Sequence, residues 1–315
     1  MEKYRESDIP VRPQPLSPPP PKGGKSPANP HLSSLCAAVG FGADAIESNI
    51  AGFQKKTVPA GKYQMFGVQF DKDGKAMTAD QAFKVDSDVA AWVDPEMDDD
   101  CIPDWYKDAV CLKVPIGTVD KGYSDYYYSI NACDEDDDYK GKPGWANEYG
   151  MLQKNVQLKP GYGVWIVAGK EDVEITIAGC VKEASSDSFS GGVGYNLLRL
   201  PFPVTINAGD ASIDWGFGAS APASWVDPEM DDDCIPDWYK DAPCIKIPIG
   251  TVDKGYVDLY YSSNACDEDD DYKGKPGWAN EYGMLQKNVT IPAGVGFWLV
   301  APKAFTATQN NPTVK

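Results

Sequence analysis

The stretch WVDPEMDDDCIPDWYKDA occupies residues 92–109 and returns unchanged at residues 225–242. It opens two segments, 92–168 and 225–301, which align without a gap and differ at 13 of 77 positions. We call these segments the first and second cassettes. Because domains commonly span about 100–200 residues, the repeat predicts two similar domains in this chain of 315 residues.

Strand signals dominate the chain. Helical periodicity is limited to a single turn at 79–83. The sequence predicts an all-β fold, with two tandem antiparallel β-sandwich or barrel-like domains at 46–172 and 173–315 that carry long acidic loops. Runs with alternating polarity or many β-branched and aromatic residues lie at 55–58, 64–70, 111–114, 125–130 and 164–167.

The first 45 residues differ in composition from the rest. Residues 1–30 are rich in proline, lysine and serine, which predicts a disordered leader without packed structure. A short apolar run at 32–42 ends in Ala43-Asp44-Ala45, a pattern typical of a secretory cleavage site. We expect 1–45 to be a leader with a signal segment and the protein to be exported by a bacterium, as a secreted or cell-surface protein. The alternative is an ordinary surface segment.

Charge and histidine content exclude several functions. The net charge is −18, and Arg199 is the one arginine after residue 45, so nucleic acid is not an expected partner. The single histidine, His31, lies in the leader, which excludes catalytic triads and imidazole metal sites from the body of the chain. No apolar run reaches the length of a transmembrane helix.

Short framework motifs carry a resemblance to a known kind of module. The sequences NIAGF at 49–53, VPAG at 58–61 and VQF at 68–70, with IPAGVGFW at 291–298, form a recurring pattern. This pattern resembles a β-module of uncharacterised secreted bacterial proteins. The resemblance covers the ends of the repeat unit and omits the acidic centre of the cassettes. It implies an exported, non-catalytic β-domain and offers no active site to transfer.

The acids of each cassette gather in two runs, one before Cys101 and one after Cys133. In the second run, aspartates at 134, 136 and 138 have the spacing of many calcium loops, although Tyr139 and Trp145 replace the glycine and glutamate of an EF-hand. The sequence therefore predicts calcium-binding loops; the alternative is a solvated loop that aids solubility. The predicted calcium ligands are Asp94, Glu96, Asp98, Asp100, Asp134, Asp136 and Asp138, with Asp227, Glu229, Asp231, Asp233, Asp267, Asp269 and Asp271 in the second cassette.

Aromatic residues beside acids and amides predict a second kind of site, because ring faces next to polar groups suit sugars. Core packing is the alternative role for the same rings. The possible glycan contacts are Trp105, Tyr106 and Trp145, with Trp238, Tyr239 and Trp278 in the second cassette.

Cysteine spacing also repeats, and in an exported protein this favours disulfide bonds. The predicted bonds join Cys101 to Cys133 and Cys234 to Cys266, which would bring the two acidic runs of each cassette together. Bonding of Cys101 to Cys111 is the competing pattern. In the first pattern Cys111 and Cys244 are left over, and one of them could pair with Cys180.

Together these observations predict a secreted or cell-surface, non-enzymatic binding or structural protein with calcium-binding acidic loops. Glycans, other surface or matrix proteins, or further copies of the chain are the expected partners. A carbohydrate-binding protein is the alternative, followed by a glycoside hydrolase, whose mechanism needs two carboxyl groups about 5–10 Å apart in a cleft.

Overall fold

Antiparallel β-strands form most of the regular structure of this protein, which confirms the all-β prediction. Residues Ser48–Lys315 make up one compact unit. The predicted leader at 1–45 lies outside the residues that the structure describes. The computed structural model describes residues 51–72, 74–94, 101–118, 121–226, 234–251 and 254–312.

The first half of the chain contributes eight strands and one helical turn within the described residues. Each of the five predicted strand runs overlaps a strand, and the predicted turn at 79–83 contains the helix α1 (Ala79–Ala82). The backbone N–H of Thr78 donates to Gln81 Oε1 over 3.1 Å at the start of α1. The strands are β1 (Ala51–Val58), β2 (Tyr63–Phe66), β3 (Phe83–Asp86), β4 (Cys111–Pro115), β5 (Tyr123–Asp134), β6 (Lys140–Ala146), β7 (Val164–Val167) and β8 (Val173–Cys180).

The second half repeats this pattern with small additions. Short 3-10 turns occur in both halves, at Trp105–Lys107, Glu135–Asp137, Gly218–Ser220, Trp238–Lys240 and Glu268–Asp270. The strands are β9 (Ser186–Gly191), β10 (Gly194–Arg199), β11 (Ile206–Asn207), β12 (Ile213–Asp214), β13 (Cys244–Pro248), β14 (Tyr256–Asp267), β15 (Lys273–Ala279), β16 (Thr290–Ile291), β17 (Gly296–Ala301) and β18 (Phe305–Asn310).

Two kinds of sheet recur along the chain. The first half forms a three-stranded sheet, β1-β8-β3, and a five-stranded sheet, β2-β7-β4-β5-β6. The second half forms β9-β18-β12 and β10-β17-β13-β14-β15, in the same orders, and β11 pairs with β16. The sheets of the described residues are open, and none closes into a barrel.

The predicted division between residues 172 and 173 falls immediately before β8. This strand pairs with β1 along its full length, from Val58 opposite Val173 to Ala51 opposite Cys180. It also pairs with β3. The strand after the predicted boundary therefore completes a sheet made by strands that precede it. The corresponding strand of the second half, β18, is the last strand of the described chain.

A buried tryptophan lies in the main hydrophobic cluster of each half. Trp145 has no exposed surface, and its ring makes edge contacts with Phe83 at 6.3 Å and Tyr128 at 5.4 Å between ring centroids. In the second half, Trp278 makes edge contacts with Trp215 at 5.1 Å and Tyr261 at 5.3 Å. Burial of such large apolar surfaces is the main stabilising contribution to each half.

Equivalent residues of the two halves meet in a third apolar cluster. Trp165 and Trp298 occupy matching positions of the two cassettes, and they pack with ring centroids at 5.8 Å, together with Met65 and Leu197. A pair of residues that meets its own counterpart lies near an approximate two-fold axis.

Backbone hydrogen bonds cross between the halves in a reciprocal pattern. The N–H of Gly67 donates to Gly294 O and the N–H of Arg199 donates to Gly161 O, each over 3.0 Å. Close approach requires glycine here, because a Cβ on Gly163 would lie 2.9 Å from Leu198 O. The halves are therefore joined by both apolar packing and main-chain hydrogen bonds.

Candidate functional site

The second acidic run of the first cassette forms the tight turn between β5 and β6. Asp134 begins the turn, and its Oδ1 accepts a hydrogen bond from the N–H of Asp136 over 3.1 Å. Asp138 and Tyr139 have φ values of 49° and 61°, in the left-handed region, where aspartate is tolerated and tyrosine is strained. The turn thus contains two consecutive non-glycine residues in the left-handed region, a conformation that costs free energy.

Two lysines form ion pairs with the acids of this turn. Asp134 is 2% exposed, and its carboxylate lies 2.7 Å from Lys154 Nζ and 3.1 Å from Lys142 Nζ. Lys142 also pairs with Asp137 at 2.5 Å, and Lys154 pairs with Asp136 at 3.1 Å. The hydrogen bond from Lys154 is the largest influence that lowers the pKa of Asp134, and the hydrogen bond from Lys142 lowers the pKa of Asp137.

The second cassette builds the same network. Asp267 lies 2.5 Å from Lys287 Nζ and 3.1 Å from Lys275 Nζ. Lys275 pairs with Asp270 at 2.6 Å, and Lys287 pairs with Asp269 at 3.3 Å. The identical sequence of this region in the two cassettes thus produces the same interactions twice.

This arrangement disfavours calcium at the second runs. Calcium takes six to eight oxygen ligands, whereas lysine ammonium groups occupy the space between these carboxylates, and Asp138 and Asp271 are exposed to solvent. Within the described ranges, no group of three acid, cysteine or histidine side chains could hold a metal ion. Calcium binding at the second runs stays a prediction, and its predicted ligands are Asp134, Asp136, Asp138, Asp267, Asp269 and Asp271.

Of the predicted calcium ligands in the first acidic runs, the structure describes only Asp94. Asp94 is exposed. Calcium binding at these runs remains a prediction. The predicted ligands Glu96, Asp98, Asp100, Asp227, Glu229, Asp231 and Asp233 lie outside the described residues.

The predicted disulfide bonds are absent, because the seven cysteines that the structure describes, Cys180 included, are free thiols. The Sγ of Cys101 faces Tyr149 O at 3.5 Å, whereas the Sγ of buried Cys133 faces Tyr139 O at 3.9 Å. The two thiols therefore contact different parts of the backbone. Cys234 and Cys266 repeat these contacts with the carbonyl oxygens of the equivalent tyrosines.

Four of the six predicted glycan contacts are core residues. Trp105 and Trp238 are each 4% exposed, Trp145 is fully buried and Trp278 is 1% exposed, so none can offer a ring face to a sugar. Tyr106 and Tyr239 are half-buried. The alternative of core packing thus describes the tryptophans, and the two tyrosines remain as surface aromatics.

A surface groove of about 600 Å³ lies beside Tyr106 in the first cassette. Its rim carries the acids Asp104 and Glu148. Sequence reasoning proposed Tyr106 and missed the other apolar walls, although their repetition in both cassettes was a visible signal. The apolar lining consists of Trp92, Ile102, Pro103, Tyr106, Tyr149 and Met151.

A β-bulge in β5 positions Trp92, which forms one wall of this groove. The register of β5 against β6 shifts between Ser129 and Ala132. Ser129 Oγ accepts from the N–H of Ala91 over 2.8 Å, and Asn131 Nδ2 donates to Trp92 O over 2.9 Å. The equivalent bonds of the second cassette are made by Ser262 and Asn264. Bulges commonly redirect side chains in this way.

The turn at 147–150 carries Tyr149, which forms another wall of the groove. Trp105 Nε1 donates to Glu148 O over 3.1 Å. Gly150 has a φ of 78°, and a Cβ there would lie 2.4 Å from Trp92 Nε1. The turn therefore packs directly on the ring of Trp92. Tyr149 at the tip is 68% exposed, and its counterpart Tyr282 is 67% exposed.

The electrostatics of the groove rim are acidic. Lys107 Nζ pairs with Asp104 at 2.8 Å, and this hydrogen bond lowers the pKa of Asp104. The carboxylate of Glu148 accepts a hydrogen bond from the Tyr149 hydroxyl, which raises the pKa of Tyr149. A large exposed aromatic ring is thus held beside a carboxylate.

Asp80 is the described carboxyl closest to the requirement of a glycoside hydrolase. Burial raises the pKa of Asp80, while backbone hydrogen bonds, including one at Trp145, oppose the rise. That mechanism also requires a second carboxyl group about 5–10 Å away in a cleft.

No family model, curated protein or solved structure matches this chain. Among the helices of the described residues, none is long and apolar enough to cross a membrane.

Proposed function

We propose that this chain is an exported, non-enzymatic binding protein in which two tandem β-repeats each present the same aromatic groove. The observation that carries the proposal is the exposed tyrosine of each turn, Tyr149 and Tyr282, beside a groove whose walls recur in both cassettes. Exposed aromatic rings in a concave apolar site are typical of binding surfaces.

Export is supported by the segment at 32–45 and by the resemblance of the framework motifs to secreted β-modules. A non-enzymatic role is supported by the acids themselves. Carboxylates that act as acid and base in catalysis have pKa values held apart by their surroundings, whereas Asp134, Asp136 and Asp137 share the two lysines Lys142 and Lys154 as ion-pair partners. This network stabilises the turn.

Two equal sites in one chain favour a ligand with repeated binding elements. The second binding event becomes intramolecular once the first site is occupied, which raises the overall affinity without any new contact. A polymer or a surface with many copies of one element is such a ligand. Calcium at the first acidic runs is a compatible addition to this proposal, since those runs join the groove residues Trp92 and Cys101 in the sequence.

Carbohydrate binding is the second candidate. The exposed ring of Tyr149 and the partly exposed ring of Tyr106 favour it, because aromatic faces stack on sugars.

The test is a ligand screen with a matched variant. The native protein and the double variant Tyr149→Ala with Tyr282→Ala are exposed to an array of peptides and glycans. We expect a set of ligands that the native protein binds and the double variant does not. Because both tyrosines are exposed, the variant should keep its fold, which circular dichroism checks. An array in which every signal is shared by the two proteins would refute the proposed function.

A further inference from the structure

The chemistry of the groove restricts its ligand, and this restriction rests on the function proposed above. The groove is lined by the rings of Trp92, Tyr106 and Tyr149, together with Ile102 and Pro103. The lining contains no amide side chain among the described residues. The lining is mainly apolar, so it favours a ligand with larger apolar surfaces than a sugar offers.

The rim adds a charge preference. Glu148 and Asp104 lie in the groove, and Lys107 is the cation paired with Asp104. Exposed Asp94 follows the wall residue Trp92 by two positions. The whole chain carries a net charge of −18. An incoming anionic ligand is repelled by this field, and a cationic ligand is attracted.

We propose that each groove binds an extended, proline-rich peptide segment that carries arginine or lysine. Proline rings pack flat on aromatic side chains, and the polyproline helix is already ordered before it binds. Its carbonyl groups lack internal partners and can accept from the Tyr106 hydroxyl in place of Asp104 Oδ1, to which that hydroxyl donates over a long 3.5 Å. A flanking arginine pairs with Glu148 and stacks on the exposed ring of Tyr149.

The experiment measures binding of a synthetic peptide made of proline with arginine at both ends. Isothermal titration gives the affinity and the number of sites. We expect two sites in the native protein and one site in Tyr149→Ala, since that variant retains exposed Tyr282 and the repeated residues around it. The double variant Tyr149→Ala with Tyr282→Ala should bind at least about tenfold more weakly.

Cysteine labelling supplies a second readout. Cys101 lines the groove, and burial raises the pKa of its thiol, so alkylation should be slow. Bound peptide should slow the alkylation of Cys101 and Cys234 further, as mapped by mass spectrometry. Unchanged labelling under saturating peptide would place the peptide elsewhere and overturn the assignment.

Control ligands separate the possible outcomes. A peptide with glutamate in place of arginine should bind at least about tenfold more weakly, and equal binding would overturn the charge preference. Tyrosine-dependent binding of neutral oligosaccharides without peptide binding would overturn the peptide assignment and leave the proposed function standing. Binding of neither class in a tyrosine-dependent manner would overturn both.

Discussion

Two pockets at equivalent places in the halves show how far the repeats have diverged. In the first half, a pocket of about 270 Å³ is lined by Asp108, Val110 and Gly169, with further acids around them. In the second half, a pocket of about 240 Å³ has Asp241, Pro243 and Pro302 at the same positions. The acids of the first pocket are Asp86, Asp88, Asp108, Glu171 and Asp172.

The acidic turns, by contrast, have not diverged between the halves, since residues 131–156 and 264–289 are identical. In the turns, each lysine contacts two aspartates, so a change at one position removes the partner of another. The first pocket contains a simple ion pair, in which Lys170 Nζ lies 3.5 Å from Asp108. The comparison teaches that the turns depend on an interdependent network, whereas the pockets can exchange valine and glycine for proline on one scaffold.

The largest expected effect tests whether the halves are equal in their cores. Trp145→Ala and Trp278→Ala each remove a buried ring and should lower the free energy of unfolding by about 3–5 kcal/mol. Urea denaturation followed by circular dichroism measures the loss. Similar losses in one shared transition would show that the halves unfold together. A native curve with two steps, only one of which shifts in each variant, would show that they unfold separately.

The next largest expected effect concerns a position at which the two pockets differ, Gly169 in the first and Pro302 in the second. A Cβ on Gly169 would lie 1.8 Å from the backbone oxygen of Asp108, so Gly169→Ala should cost about 1–3 kcal/mol. The equivalent position holds Pro302, and Pro302→Gly should cost only about 0.4–1 kcal/mol, through the greater entropy of the unfolded chain. Thermal unfolding of both variants decides the order. A larger loss for Pro302→Gly would contradict the steric explanation.

A third prediction concerns the lysine network and its dependence on pH. The folded pKa of Asp134 is lowered, so its contribution to stability is present above the unfolded pKa of about 3.9 and is lost as the pH falls toward the folded pKa. Lys154→Gln removes the largest cause of this shift. The melting temperature of the variant should therefore be lower than that of the native protein at neutral pH, and the difference should shrink in acid.

Lys287→Gln is the matched variant in the second half, and Lys140→Gln is the control in the same turn as Asp134. The first should reproduce the effect of Lys154→Gln, and the control should change the melting temperature little. Added salt should reduce the difference, since the lysines are partly exposed. A pH-independent loss in Lys154→Gln would indicate lost packing of the lysine side chain as the cause.

The smallest expected effect separates the first acidic runs from the second. Because Lys154 and Lys287 already pair with Asp136 and Asp269, Asp136→Asn with Asp269→Asn should leave any shift of melting temperature by millimolar calcium unchanged. Differential scanning fluorimetry with calcium and with chelator measures it. A calcium response that disappears in this variant would restore the second runs as the calcium site.

Much of the local structure was predictable. The runs at 111–114 and 164–167 fall in strands, because their alternating or β-branched residues favour a half-buried pleated surface. The candidate site was predicted only in part. Tyr106 was identified from its acidic neighbour, but Trp92 and Tyr149 are far apart in the sequence and meet only through the packing of Gly150 against Trp92.

The site prediction lacked information about lysines that are distant from the acidic runs in the sequence. Local spacing placed Asp134, Asp136 and Asp138 as calcium ligands, but Lys154 follows the whole of β6 in the sequence and reaches Asp134 only across the folded sheet. The spacing of acids along a loop carries no information about such distant cations. Similarly, the repetition of the tryptophans did not indicate which of their rings are buried.

By itself, the sequence determined the all-β class, the internal repeat and the acidic character, because composition, periodicity and self-similarity are properties of the chain alone. The tertiary structure alone decided three further points: that β8 completes the sheet of the first half, that lysines occupy the space between the aspartates, and that Trp145 is buried while Tyr149 is exposed. Each of these depends on contacts between residues distant in sequence, which periodicity and spacing do not specify.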